Sequence, residues 1–368
     1  MKQNQAISRI LVVAAIVAIL IALAIGVTIE SGTMTHSGQS TSKSSQTTIS
    51  SQPFNSTRFL SLSYLEYMLG YPSDASPVGI AAYGIFNYSG SLRSYSINSS
   101  EVVGEANISA IATQTNWDNA IYPSYSSLAC MQCASLQMNV NVVVETPFGN
   151  QIFWGQNVVP FSNTTSQRTL GHFGLIFNMT TSRANIGQNW YGNGSPGQLN
   201  GKTVYGFGSL RGSTTNYSLP LHVRLAISVE VYDGGIEIKM SNSPFGYGTF
   251  ADNNNTFGIV SIPIKNVTSA SIVVMPSLYP WQSNMGLYQS YDSDLVWAAY
   301  CCGQTTNFVE MNSSLSLQYL NSKNQLESYP SFYTFGYTGE SATNLRVIPS
   351  LDGELVAIGQ NNNSLLDN

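Results

Sequence analysis

The sequence predicts an all-β fold, a β-sandwich or jelly-roll-like body behind a single N-terminal transmembrane helix. Three observations carry this expectation. Apolar and polar residues alternate at period two over many stretches of five to eight residues, clusters of Gly, Asn, Ser and Pro separate those stretches, and long 3.6-residue periodicity is missing from the body. The one continuous apolar run lies at the start of the chain.

Residues 1–30 hold that run. Lys2 and Arg9 precede apolar residues from Ile10 to Ile29, broken only by Gly26 and Thr28. Twenty helical residues rise about 30 Å, the thickness of a bilayer core, which predicts a membrane anchor. Ala22-Leu23-Ala24 offers a cleavage site for the alternative, a signal peptide. In both cases the basic end stays in the cytoplasm and the remainder is exported, either held on the outer face of the membrane or secreted. In residues 31–57, 15 of 27 side chains are Ser or Thr, so this segment reads as a stalk open to O-glycosylation. Residues 58–360 form the body, whose roughly 300 residues suffice for one large core, and 361–368 form a tail.

Within the body, any helix is expected to be short, around Ser61 to Met68. Leu136, Met138, Val140, Val142 and Val144 alternate with Gln137, Asn139, Asn141 and Val143. Leu221 to Val231 alternates likewise, and Asp233-Gly234-Gly235 then turns the chain into Ile236 to Met240, a hairpin signal. Ile259 to Ile264 reads as a short strand in which Pro263 marks a sheet edge.

Composition narrows the function. The 368 residues include only 14 Lys and Arg and 19 Asp and Glu, or 9% charged, where an ordinary domain has roughly a quarter. A net charge of -5 leaves no basic excess to neutralise phosphates, which argues against nucleic acid as a partner. Hydroxyls, amides and 21 Tyr replace the charges, and their hydration does not change as carboxylates protonate near about pH 2 to 3. Such a surface suits an acidic exterior; a secreted, glycosylated β-protein would carry the same bias. Asn-x-Ser/Thr sequons begin at Asn55, Asn87, Asn98, Asn107, Asn163, Asn178, Asn216, Asn254, Asn266, Asn312 and Asn362. Another at Asn193 is weakened by Pro196.

Several segments together resemble a known family. They are Pro77-Val78-Gly79-Ile80-Ala81-Ala82-Tyr83-Gly84-Ile85 with Asn87-Tyr88-Ser89-Gly90, then Glu101-Val102-Val103-Gly104 and Asn107-Ile108-Ser109. Ser135-Leu136-Gln137-Met138-Asn139-Val140 and Phe153-Trp154-Gly155-Gln156-Asn157-Val158 follow, and then Tyr291-Asp292-Ser293-Asp294-Leu295-Val296-Trp297 and Tyr333-Thr334-Phe335-Gly336, with Glu340 close behind. In this order and spacing they look like the thermopsin family of archaeal acid proteases. The resemblance implies an exported endopeptidase that works in acid on polypeptide substrates. The chain departs from the family at Phe173 to Asn178, where an Asp-Asn pair is expected, and at Ala298-Ala299-Tyr300-Cys301-Cys302, where Gly is expected. Asp294 stands where the family often has Glu.

Both cysteine pairs lie where the chain departs from the family. Cys130 and Cys133 flank two residues, whereas Cys301 and Cys302 are adjacent, which is wrong for the second knuckle of a zinc ribbon. Disulfides are the default in an exported chain. The expected pairing staples the loop near 130 to the loop near 301; a Cys130–Cys133 bond with a vicinal Cys301–Cys302 bond is the alternative.

No HExxH or GxSxG pattern is present, and His36, His172 and His222 would be protonated in strong acid. Carboxyls remain, and no cofactor is called for. Two carboxyls sharing a proton can divide the work, one activating water and the other polarising the scissile carbonyl. The acidic residues in or beside the family-like segments are Asp292, Glu340, Asp294 and Glu101. Asp292 and Asp294 would share one face of a strand with Cα atoms about 6.5 to 7 Å apart, long for sharing a proton directly, so a partner is expected from Glu340 or Glu101. A turn cap or half of a calcium site is the alternative for Asp-x-Asp. Gln137 and Gln156 are polar residues within apolar strands and could act as oxyanion donors. A non-enzymatic glycosylated surface protein, structural or glycan-binding, is the competing function, and carboxyls from separate segments meeting in one place would argue against it.

Overall fold

A computed structural model describes residues 77–88, 91–115, 132–163, 168–180, 196–199, 202–209, 215–243, 256–276, 291–300, 304–336, 338, 340–349, 353–359 and 365–367. The apolar run, the stalk and the helix expected near Ser61 lie outside these residues. Among the described residues every regular element is a strand, and no helix is long and apolar enough to cross a membrane.

Two large sheets face each other. The larger has 13 strands, with Pro196–Leu199, Lys202–Ser209, His172–Asn178, Gln151–Asn163, Cys133–Glu145, Ser293–Ala298, Val78–Ala82, Ser331–Phe335 and Leu365–Asp367 following one another across it. The other has nine, with Thr256–Pro263, Gly235–Ser243, Leu221–Tyr232, Glu101–Thr115, Thr305–Leu320, Glu354–Ile358 and Leu345–Ile348 in order. Among the described strands pairing is antiparallel, except that Ser341–Thr343 runs parallel to Thr305–Leu320.

Alternation explains the core. Leu136, Met138, Val140, Val142 and Val144 point inward from one sheet and meet Val102, Ala106, Leu225, Ile227, Leu315 and Leu317 from the other. Each such side chain contributes about 1.5–3 kcal/mol by leaving water. Trp297 is fully buried among them. Its ring lies 5.3 Å from that of Phe161, and its Nε1–H donates to Ser313 Oγ at 3.1 Å. Asn157 joins the sheets by donating to the carbonyls of Ala226 and Ser241, each at 3.0 Å.

The expected hairpin forms from Leu221–Tyr232 and Gly235–Ser243, and Thr256–Pro263 takes a sheet edge as Pro263 suggested. The C-terminal residues differ from expectation. Leu365–Asp367, assigned to a tail, pairs with Ser331–Tyr333, in a strand too short to register as alternation.

The outward face of the larger sheet holds the second surprise. The Gln137, Asn139 and Asn141 side of its central strand is polar, yet residues 133–144 are all buried. A sheet covered on both faces needs partners for any polar side chain it hides.

Candidate active site

Those partners are carboxyls. Strand Ser293–Ala298 lies beside Cys133–Glu145 with Asp294 opposite Asn139, and alternation puts Asp292 and Asp294 on the same outward face. Asn141 Nδ2 donates to Asp292 Oδ1 at 2.9 Å, and Asn139 Nδ2 donates to Asp294 Oδ1 at 2.8 Å. One step further along the strand, Gln137 Nε2 donates to Glu340 Oε2 at 3.4 Å. Three amides at every second position of one strand therefore hold three carboxyls in a row. Asp292 is 6% exposed, Asp294 0% and Glu340 1%.

Glu340 comes from another direction. After strand Ser331–Phe335 the chain passes over the outward face before entering the other sheet at Ser341. Gly336 lies against Asp294 so closely that a Cβ there would sit 2.6 Å from both Cγ and Oδ2, so the crossing needs glycine. Thr338 Oγ1 then donates to Glu340 Oε2 at 2.6 Å, and Gln156 Nε2 donates to Thr338 Oγ1 at 3.3 Å and to Gln137 Oε1 at 2.8 Å. Beyond Glu340, Ala299 N–H donates to Ser341 O and Ser341 N–H to Gln304 O, fixing the far end.

Burial pushes the Asp292 carboxyl up to about 7, against the smaller opposing pull of hydrogen bonds from its own backbone and from Asn141. Among the described residues its Oδ2 is buried without a hydrogen-bond partner. A carboxyl oxygen buried in this way is costly to ionise, which is the same desolvation that raises the group. Tyr83, Tyr333 and Phe335 pack beside the row on the same face, with ring centroids 5.2–6.3 Å apart. On the other side lie Trp154 and Phe177, their ring centroids 5.4 Å from each other.

Of the four acidic residues singled out in the sequence, the structure gathers Asp292, Asp294 and Glu340 and leaves Glu101 apart. Glu101 begins a strand of the other sheet, opposite Ser228, and points away from the shared core. Burial raises its carboxyl, and nearby Arg224 opposes the rise. Sequence reasoning missed Asn139, Asn141, Gly336 and Thr338. The alternating amides were visible as a pattern, but only the second buried face gives them work. Among the described residues no group of three or more His, Cys, Asp or Glu side chains is arranged to hold a metal ion.

Other expectations fall unevenly. Cys133 is not a free thiol, while Cys130, Cys301 and Cys302 lie outside the described residues, as do Asn55, Asn254 and Asn362. Asn98, Asn107, Asn216, Asn266 and Asn312 are exposed, Asn163 is half-buried, and the side chain of Asn87 is not described. Asn178 is buried and its Oδ1 accepts the Thr180 N–H, so the folded chain does not offer that sequon for modification.

Residues 63–345 match the Thermopsin family, a span that includes the row and the segment crossing it. The chain is 28% identical over 291 residues to thermopsin of Sulfolobus acidocaldarius, covering 77% of this chain and 79% of that protein. A match running through nearly the whole sandwich shows that the chain belongs to the thermopsin family of proteases.

Proposed function

We propose that this chain is an exported endopeptidase that hydrolyses peptide bonds in acid, with Asp292, Asp294 and Glu340 as its chemical centre. The observation that carries the proposal is the row itself: three buried carboxyls from two separate segments, held by one strand's amides. Three neighbouring carboxyls do not all ionise together, so in acid the row keeps at least one proton and titrates as a unit. Asp292 is the member on which burial places it.

Hydrolysis then follows from the division of charge. An ionised member takes one proton from water as the water oxygen bonds to the scissile carbonyl carbon. The protonated member gives its proton to the carbonyl oxygen. The first carboxyl passes the proton it took to the amide nitrogen as the C–N bond breaks, and the second recovers its own as the product carboxyl forms. Water is added across the bond and the row returns to its starting state. Asp294, in the middle, adjoins both possible partners.

Around this centre we place the body outside the cell, on a stalk behind the apolar run or released from it, with glycans on the exposed sequons. A disulfide from the Cys130–Cys133 segment to Cys301 or Cys302 fits the register, because Ser135 lies opposite Ala298 and Cys133 is two residues beyond it. The competing reading, a non-enzymatic surface protein, gives no reason to bury three carboxyls side by side. Incubating the body with a denatured protein over about pH 1 to 7 tests the proposal. Cleavage confined to acid is expected; no cleavage at any pH in that range would refute it.

A further inference from the structure

The donations from Thr338 and Gln137 to Glu340 can each be assigned a direction. Gln156 Nε2 donates to Gln137 Oε1, which fixes the Gln137 amide with its oxygen toward Gln156 and its nitrogen toward Glu340. That nitrogen also donates to Ser135 Oγ at 2.7 Å, and Ser135 turns its own proton to Ala299 O at 2.6 Å. Gln156 Nε2 donates to Thr338 Oγ1 as well, so the Thr338 proton is directed to Glu340 Oε2. Two donors thus converge on one carboxyl oxygen. A carboxylate only accepts hydrogen bonds, and a separation of 2.6 Å falls in the range of hydroxyl donors to an ionised oxygen.

We infer that Glu340 is the ionised member of the row and that Thr338, with Gln137 and Gln156 beneath it, is the positioning group that holds it so. This rests on the reading of the row as the hydrolytic centre. The segment that carries Thr338 and Glu340 is seated on Asp294 by Gly336, so the same contact sets the carboxylate beside the middle member. Among the described residues, the titratable groups that share this face are Asp292 and Asp294 beside strand Cys133–Glu145, Tyr333 on strand Ser331–Phe335 and the phenol of Tyr83, which donates to Phe335 O. The side chains offered by Cys133–Glu145 and Gln151–Asn163 are the uncharged Ser135, Gln137, Asn139 and Gln156.

The test is the pH profile of kcat on a denatured protein substrate for the parent, Thr338→Val, Thr338→Ser, Gln156→Leu and Glu340→Gln, each compared at equal folded fraction. Removing a donor from an ionised carboxylate makes protonation easier, so the acid limb of the Thr338→Val profile is expected to move upward by about one pH unit. Its kcat should fall about tenfold with KM little changed, and Thr338→Ser should restore both. Gln156→Leu, which frees both donors to turn, should move the limb the same way, and it carries the test if Thr338→Val does not fold. An inactive Glu340→Gln beside a Thr338→Val profile that superimposes on the parent's would overturn the positioning role and leave the row intact. A fully active Glu340→Gln would overturn the inference outright, and the row would then rest on Asp292 and Asp294.

Discussion

Raising the pH from about 3 to about 8 is expected to weaken the fold, and Asp292→Asn is expected to remove a large part of that weakening. The unfolded chain ionises Asp292 near its ordinary value of 3.8, whereas burial holds the folded carboxyl at about 7. Between those values unfolding releases a proton, so stability is full below about pH 4 and is lost as pH rises through about 7. The gap of roughly three pH units corresponds to about 4 kcal/mol. Glu101 and Glu354 are also raised by burial and act in the same direction. His172 is lowered by burial and opposes them, its contribution being present above about 6.5 and lost as pH falls. These three groups are common to parent and variant and cancel in the difference. Urea unfolding at intervals of pH measures it. The parent's loss should exceed that of Asp292→Asn by up to about 4 kcal/mol. Parallel stability curves for the two proteins, or a parent that gains on the variant as pH rises, would refute the assignment of a buried, protonated Asp292.

Other outcomes follow from single contacts. Gly336→Ala should push against Asp294 Cγ and Oδ2, costing about 1–3 kcal/mol by overpacking and lowering kcat at least tenfold, as read by unfolding and cleavage on one preparation. Trp297→Ala should cost about 3–5 kcal/mol, because it opens a cavity between Phe161 and Phe308 and strands the Ser313 hydroxyl. Asn157→Ala should cost about 1–3 kcal/mol by leaving the Ala226 and Ser241 carbonyls without their donor.

Much of the sandwich was legible because its strands obey period two where one face meets the core: Leu136 to Val144 and the Leu221–Met240 hairpin need nothing else. The outward face of the larger sheet was not, since Gln137, Asn139 and Asn141 look the same in sequence whether they meet water or a buried carboxyl. Asp292 and Asp294 could be placed on one face from their spacing alone. That Glu340 joins them and Glu101 does not depends on the path of the chain over Asp294, which local pattern does not encode. Gly336 shows why: its role is visible only as the absence of room for a side chain.

The central claim is that the row of three carboxyls, and no acidic residue elsewhere, performs the hydrolysis. Asp292→Asn, Asp294→Asn, Glu340→Gln and Glu101→Gln, assayed together for cleavage of a denatured protein at the parent's acid optimum, test it most directly. The first three should each lose about a hundredfold or more in kcat, while Glu101→Gln stays within about twofold of the parent. An inactive Glu101→Gln beside active variants of the row would contradict the account.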